Sequence, residues 1–320
     1  MNAAVIHAFD KPPRYSPFEE PVAGDGELIV NVRAAGLHQV VKSRASGKHY
    51  TSSHQLPAIP GVDGVGVLED GSRVYFGVIR PRFGSFAERA VTAKSVCISL
   101  PAALDDVTVA GIMNPAISSW APLWIRSLVA NKESVLILGA TGAAGQLAVQ
   151  IAKRLGARRV VGVGRDPGAL EKVKSLGASA TISLLQNQDQ LVGAFRHEMD
   201  ETGVDVILDY VWGRPAEAFL EAVAQRGEKN QPTRARYIQI GSMAGPTITF
   251  PAATLRSSGL EMYGSGFGGT PLDDILKSAR EFLQETAARP FTFTPIAAPL
   301  RDVEKVWSSP QPGGRIVFQP

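Results

Sequence analysis

Val135-Leu136-Ile137-Leu138-Gly139-Ala140-Thr141-Gly142-Ala143-Ala144-Gly145 reads as a buried strand that runs into a glycine turn and then a helix. Its glycines are spaced G-x-x-G-x-x-G, which lets the backbone turn tightly and approach a phosphate. The N–H groups of a helix opening at about Gln146 supply unpaired donors and a partial positive charge. Gly139, Thr141, Gly142, Ala143, Ala144 and Gly145 are therefore the candidate phosphate contacts. A glycine triplet also serves ordinary turns and tight packing, so its surroundings decide. Leu147, Ile151 and Leu155 follow at four-residue steps on one helical face, Gly156 stops the helix, and Arg159 to Val163 begins a second strand. Strand, crossover helix and strand within roughly 30 residues form the βαβ unit that a dinucleotide pyrophosphate site requires.

The end of that second strand selects the nucleotide, because an acidic side chain there binds a ribose diol and repels a 2′-phosphate. Here it reads Val163-Gly164-Arg165-Asp166-Pro167. Gly164 takes the acidic position, and Arg165 follows with a guanidinium suited to a phosphate and to stacking on adenine. Asp166 directly before Pro167 has the form of a helix N-cap followed by the first helical residue. NADPH is thus expected over NADH, with Lys172 and Lys174 as weaker phosphate candidates.

Composition narrows the class. With 320 residues the chain is long enough for two domains. Its net charge of +3 comes from 33 basic and 30 acidic residues that are interspersed, which leaves no dense basic patch for nucleic acid. One cysteine, Cys97, leaves no internal disulfide and no cysteine cluster for a structural zinc, and fits a reducing cytoplasm. The uncharged stretch from Ser134 to Ala152 has the length of a membrane span. Its spaced glycines, its Thr141 and Gln146, and the lack of a second long apolar segment fit a buried strand and helix instead, so no membrane partner is expected. The N-terminus lacks a basic segment leading into an apolar one and reads as a first strand.

Outward from the glycine turn the pattern changes twice. Residues 1–115 are β-rich: Leu28 to Arg33 alternates, Asp70-Gly71 makes a hairpin turn, and Ser85 to Val91 alternates again. Residues 116–289 alternate strands and helices, with further strands at Asp205–Asp209, Tyr237–Gly241 and Leu260–Gly264, which means a doubly wound parallel sheet. Residues 290–320 resume β character and are expected to return to the first domain.

These residues resemble the medium-chain dehydrogenase/reductases, and within them the zinc-independent quinone oxidoreductase and enoyl reductase branch. Pro60-Gly61-Val62-Asp63-Gly64-Val65-Gly66 resembles that branch's P-G-x-D-x-x-G, and Gly139 to Ala157 its glycine turn and following Q-x-A-K-x-L-G-A. Gly203 to Asp209 resembles its G-x-D-x-x-x-D, and Gly313-Gly314-Arg315-Ile316-Val317 its closing G-G-K-I-V, with arginine for lysine. The likeness runs nearly end to end. It implies an α/β protein with a GroES-like catalytic domain from residues 1–115 and 290–320, a Rossmann NADPH-binding domain at 116–289, a substrate cleft where they meet, and a homodimer.

It also implies a choice about metal. The alcohol dehydrogenase branch polarises its substrate with zinc on three protein ligands. Here His38 stands at the first ligand position, where the quinone branch commonly has Asn, Val62 replaces the histidine of G-H-E, and no third ligand follows near Asn114 or Pro115. Reduction of a quinone or an α,β-unsaturated carbonyl without metal needs a hydride, a donor for the oxygen that gains charge, and a proton. Tyr50 is the first candidate for that donor, matching a tyrosine that relatives place in the cleft, and His38 is the second. A tyrosine capping the barrel rim and a packed histidine are the plain structural alternatives. Ser118-Ser119-Trp120 and Trp124 line either the nicotinamide pocket or ordinary packing. Gly241, Ser242, Gly264, Ser265 and Phe267 follow strands at their carboxyl ends and are expected to contact nicotinamide and ribose. Two other readings stand beside this one: a member of the fold that holds cofactor without turnover, and an enoyl-CoA-type reductase in which Lys42, Arg44 and Lys48 meet the CoA phosphates.

Overall fold

The computed structural model describes residues 1–77, 80–126, 132–229, 231, 233–266, 268–310 and 314–320. The chain forms two compact units, Met1–Pro115 with Ala279–Pro320, and Ala116–Ser278.

The first unit starts with β1 (Asn2–Val5) paired antiparallel to β2 (Arg14–Pro17), followed by β3 (Glu27–Gly36), the short helix α1 (Gln39–Ala45), β4 (Asp63–Val67), β5 (Arg73–Gly77), β6 (Arg89–Ala93) and β7 (Cys97–Ser99). The β4–β5 hairpin turns at Asp70-Gly71 as its sequence requires. Asp70 Oδ1 accepts the Ser72 N–H at 2.9 Å, and Leu68 and Ser72 close the turn through the backbone. A helix not expected in this β-rich stretch follows, α2 (Asp106–Ala121), with Pro115 inside it.

The second unit alternates as its sequence does. Its strands β8 (Ser134–Leu138), β9 (Arg159–Gly164), β10 (Ala180–Ser183), β11 (Val206–Asp209), β12 (Arg236–Gln239) and β13 (Glu261–Gly264) are interleaved with α3 (Ala143–Arg154), α4 (Pro167–Ser175), α5 (Gln188–Glu201), α6 (Gly213–Glu228) and α7 (Ala252–Ser258). All pairings are parallel, in the order β10-β9-β8-β11-β12-β13. This is a doubly wound sheet. Its strand order reverses at β8, between β9 and β11, which is where such sheets open a crevice for ligand. Every residue of β8 is buried, as expected for a strand covered on both faces. The core on one side carries Phe195, Phe219 and Tyr237, with ring centroids 5.5 and 5.9 Å apart in sequence along that row.

Helix α8 (Leu272–Ala288) leads into β14 (Pro295–Pro299), α9 (Val303–Val306) and β15 (Arg315–Gln319). β15 pairs antiparallel to β3 and parallel to β14. Both ends of the chain therefore build one seven-stranded sheet, β14-β15-β3-β4-β5-β7, with β6 on β3. Phe86 packs at its centre against Phe318, with centroids 5.1 Å apart.

Candidate functional site

The turn after β8 has the shape its glycines call for. Gly139 has φ +91°, a conformation open mainly to glycine, and its N–H and that of Ala140 both donate to the Val163 carbonyl of β9, at 3.0 and 2.9 Å. Helix α3 opens at Ala143 with Gly142 as N-cap, three residues earlier than the sequence alone indicates. Gly145 lies inside that first helical turn, where a Cβ would overlap the Gly139 carbonyl oxygen and stand 2.5 Å from the Ala140 Cα, so the close approach of helix and turn requires glycine there. Ala143, Ala144 and Gly145 thus form a first turn whose N–H groups have no intrahelical acceptor. Gln146 Nε2 donates to the Thr141 carbonyl at 2.9 Å and ties the loop down. A phosphate fits this cradle because the donors point outward and no side chain longer than alanine stands on that first turn.

At the end of β9, Gly164 is buried, and a Cβ there would run into the Thr141 side chain, with Oγ1 at 2.9 Å. Packing therefore keeps an acidic group out of this position. Arg165 is next and exposed. Asp166 accepts the Ala169 N–H at 2.6 Å and caps α4 ahead of Pro167, as its sequence indicates. Asp166→Ala should cost about 1 kcal/mol of stability, read as a lower Tm, with little effect on nucleotide affinity. Lys172 is exposed, and Lys174 is engaged by Glu171 at 2.7 Å.

On the other side of β8, Asp209 closes β11 fully buried. Its carboxylate accepts the Tyr237 hydroxyl at 2.6 Å and the N–H groups of Val211 and Trp212 at 2.8 and 2.9 Å. Burial pushes this carboxyl above its ordinary range, and the three donors act against that push. Sequence reading took Asp209 only as part of a motif. Gly241 and Ser242 follow β12, the next strand, and a Cβ at Gly241 would lie 2.7 Å from the Tyr210 carbonyl oxygen. Gly264 ends β13 and Ser265 follows it at the edge of the sheet, about 14 Å from β8 at three strand spacings. Phe267 lies outside the described residues. The ends of β8, β9, β11 and β12 thus converge on one crevice, and Gly264 and Ser265 lie at its periphery.

Tyr50 and His38 belong to the first unit. Tyr50 is 70% exposed and stacked on His49, with ring centroids 4.3 Å apart. His38, just before α1, is 1% exposed. Its Nε2 is 3.1 Å from Asp63 Oδ1 at the start of β4, a close electrostatic contact without the alignment of a hydrogen bond. Asp63 Oδ2 accepts the Tyr75 hydroxyl at 2.7 Å, and Arg315 Nη1 donates to the Leu37 carbonyl at 3.2 Å. Burial and then Asp63 push the Tyr75 phenol well above its usual range. Burial pushes Arg315 down to about 10, while Asp63 acts in the opposite sense. Asp63 and Arg315 both stand in motifs quoted above, but nothing local pairs them. Lys42 and Arg44 are half-buried, and burial lowers both, while Lys48 is exposed. Among the described residues no group of three or more His, Cys, Asp or Glu is arranged to hold a metal ion, and no helix is long and apolar enough to cross a membrane.

Comparison with known proteins agrees with this architecture. Residues 143–285 match the family model described as zinc-binding dehydrogenase. Along its whole length the chain is 29% identical, over 375 aligned positions covering all of both proteins, to a protein of Emericella nidulans named probable NADPH-dependent quinone reductase tdiC. Quinone oxidoreductase of Sus scrofa is 27% identical over 278 positions, covering 84% of this chain and 77% of that one. The crystal structure of quinone oxidoreductase from Pseudomonas syringae superposes over 100% of both chains with a TM-score of 0.85 at 21% identity, which is a likeness of fold. In its glycine turn, its sheet order and these relatives, the chain is similar to the medium-chain dehydrogenase/reductases of the quinone oxidoreductase branch.

Proposed function

We infer that this protein is an NADPH-dependent oxidoreductase that reduces a quinone or an α,β-unsaturated carbonyl without a metal ion. The observation that carries the reading is the cradle at the β8–α3 turn together with the acid-free end of β9, where Arg165 stands exposed. Bound NADPH supplies a hydride from nicotinamide C4. The chain's own part is to hold the pyrophosphate on the N–H groups of Ala143, Ala144 and Gly145, to pair the 2′-phosphate with Arg165, and to receive the nicotinamide half at the ends of β11 and β12, with Gly241 and Ser242. Gly264 and Ser265 extend that contact set at the sheet edge.

Residues 1–115 with 290–320 serve as the catalytic domain in this reading, and 116–289 as the nucleotide domain. Tyr50 donates to the acceptor oxygen; its exposed ring, held by His49, supports that role. His38 has a carboxylate beside it but is 1% exposed, which leaves Tyr50 as the better placed donor. The names of the relatives in Emericella nidulans and Sus scrofa support the NADPH and quinone assignments. A cytoplasmic homodimer joined along β13 belongs to the same proposal, since β13 ends the sheet with Glu261 and Gly264 exposed. The half-buried Lys42 and Arg44 offer little to a CoA phosphate, which favours quinones and simple enones.

The test is a mixture of protein, NADPH and a panel of quinones and enones, followed by absorbance of the reduced nicotinamide. Turnover with at least one class is the expected result, and Tyr50→Phe should slow it. Tight NADPH binding with no turnover across the panel would favour a cofactor-holding protein instead.

A further inference from the structure

We propose that Tyr210 is a positioning residue for the nicotinamide half of the bound nucleotide, acting through the hydroxyl of Ser118. This rests on the reading of the β8–α3 turn as the pyrophosphate site.

The sheet order fixes the direction. With pyrophosphate at the end of β8 and the adenosine ribose at the end of β9, the other half of a dinucleotide must run the opposite way, over the ends of β11 and β12. Tyr210 is the first residue beyond β11. Its N–H donates to the Leu138 carbonyl at 3.1 Å, its Cβ is 3.3 Å from where a side chain on Gly139 would begin, and its carbonyl oxygen abuts Gly241. It therefore stands between the phosphate turn and the end of β12, on the path that the nicotinamide ribose has to take.

The hydroxyl is anchored as well. Tyr210 Oη and Ser118 Oγ of α2 are 3.2 Å apart, though 92 residues separate them in sequence. Burial pushes the phenol up to about 12, against its hydrogen bonds with Ser118 and Ser119, so it stays protonated across the physiological range. The turn that carries it is held in a costly shape. Trp212 has φ +55°, rare for a bulky side chain, and the buried Asp209 carboxylate binds the N–H groups of Val211 and Trp212 to keep it there. Strain maintained by a dedicated carboxylate, at the mouth of the crevice, is what a ligand-positioning turn needs. With Tyr210 in place the Ser118 hydroxyl has a fixed direction at the nicotinamide end; without the phenol it rotates.

Binding tests this without turnover. NADPH and 2′-phospho-ADP-ribose, which lacks the nicotinamide, are titrated separately into the full-length protein, Tyr210→Phe, Ser118→Ala and the double variant, with thermal midpoints recorded for each. Loss of one hydrogen bond should weaken NADPH by about 3- to 10-fold in either single variant, with the double variant little worse and the fragment unchanged in all. Equal losses for NADPH and the fragment would mean a merely structural role and overturn the proposal, as would unchanged NADPH affinity in Tyr210→Phe. If the unaltered protein binds neither molecule, the phosphate-site reading fails, and the proposal with it.

Discussion

Asp63→Ala is expected to destabilise the protein by about 1–3 kcal/mol, the usual cost of leaving a buried hydrogen-bonding group without its partner. Asp63 is 3% exposed, Arg315 6% and His38 1%, so water cannot replace the carboxylate. Its loss takes the counter-charge from a guanidinium that burial already lowers to about 10, and the acceptor from the Tyr75 hydroxyl. Arg315 lies on β15 and Asp63 on β4, with β3 between them in the sheet, so the effect should be cooperative unfolding of the whole sheet rather than local fraying. Asp63→Asn keeps an acceptor for Tyr75 and should lose less. Urea denaturation at neutral pH reads both, and an unchanged midpoint for Asp63→Ala would remove the cluster from the stability of this unit.

Arg165→Ala should weaken NADPH by about 10- to 100-fold and leave NADH nearly unchanged, since a charge-assisted hydrogen bond to phosphate contributes about 1.5–3 kcal/mol. The asymmetry is the informative part. Gly164 offers no side chain for a ribose diol, and Thr141 fills the space where one would grow, so NADH has nothing at the end of β9 to gain or lose. Equal losses for the two nucleotides in a pair of titrations would mean that Arg165 shapes the turn and does not read the phosphate.

What the sequence made legible is local. The glycine turn, the Asp166 cap and the Asp70-Gly71 hairpin each follow from residues within a few positions of one another, and each is found in the structure. The start of α3 is not legible because Gly145 has low helix propensity, and the contact with Gly139 that requires glycine there exists only in the fold. Helix α2 went unseen because Pro115 breaks a helix by local rule and yet stands inside this one. The long-range pairs were out of reach in principle. His38 with Asp63, Arg315 with Leu37, and Tyr210 with Ser118 are brought together only by strand order, and no periodicity marks either partner. Asp63 and Arg315 did stand in recognisable motifs, which signalled importance without showing that both belong to one buried cluster.

The fate of the hydride decides whether this protein reduces its acceptor with NADPH and without a metal. Chelator-treated protein would be incubated with NADPH deuterated at nicotinamide C4 and a simple enone, and the product examined by mass spectrometry and NMR. The expected result is one deuterium per product molecule on the carbon β to the carbonyl, with no loss of rate on removing metal. NADPH bound but never giving up its label, or transfer that stops on chelation and returns with zinc, would contradict it.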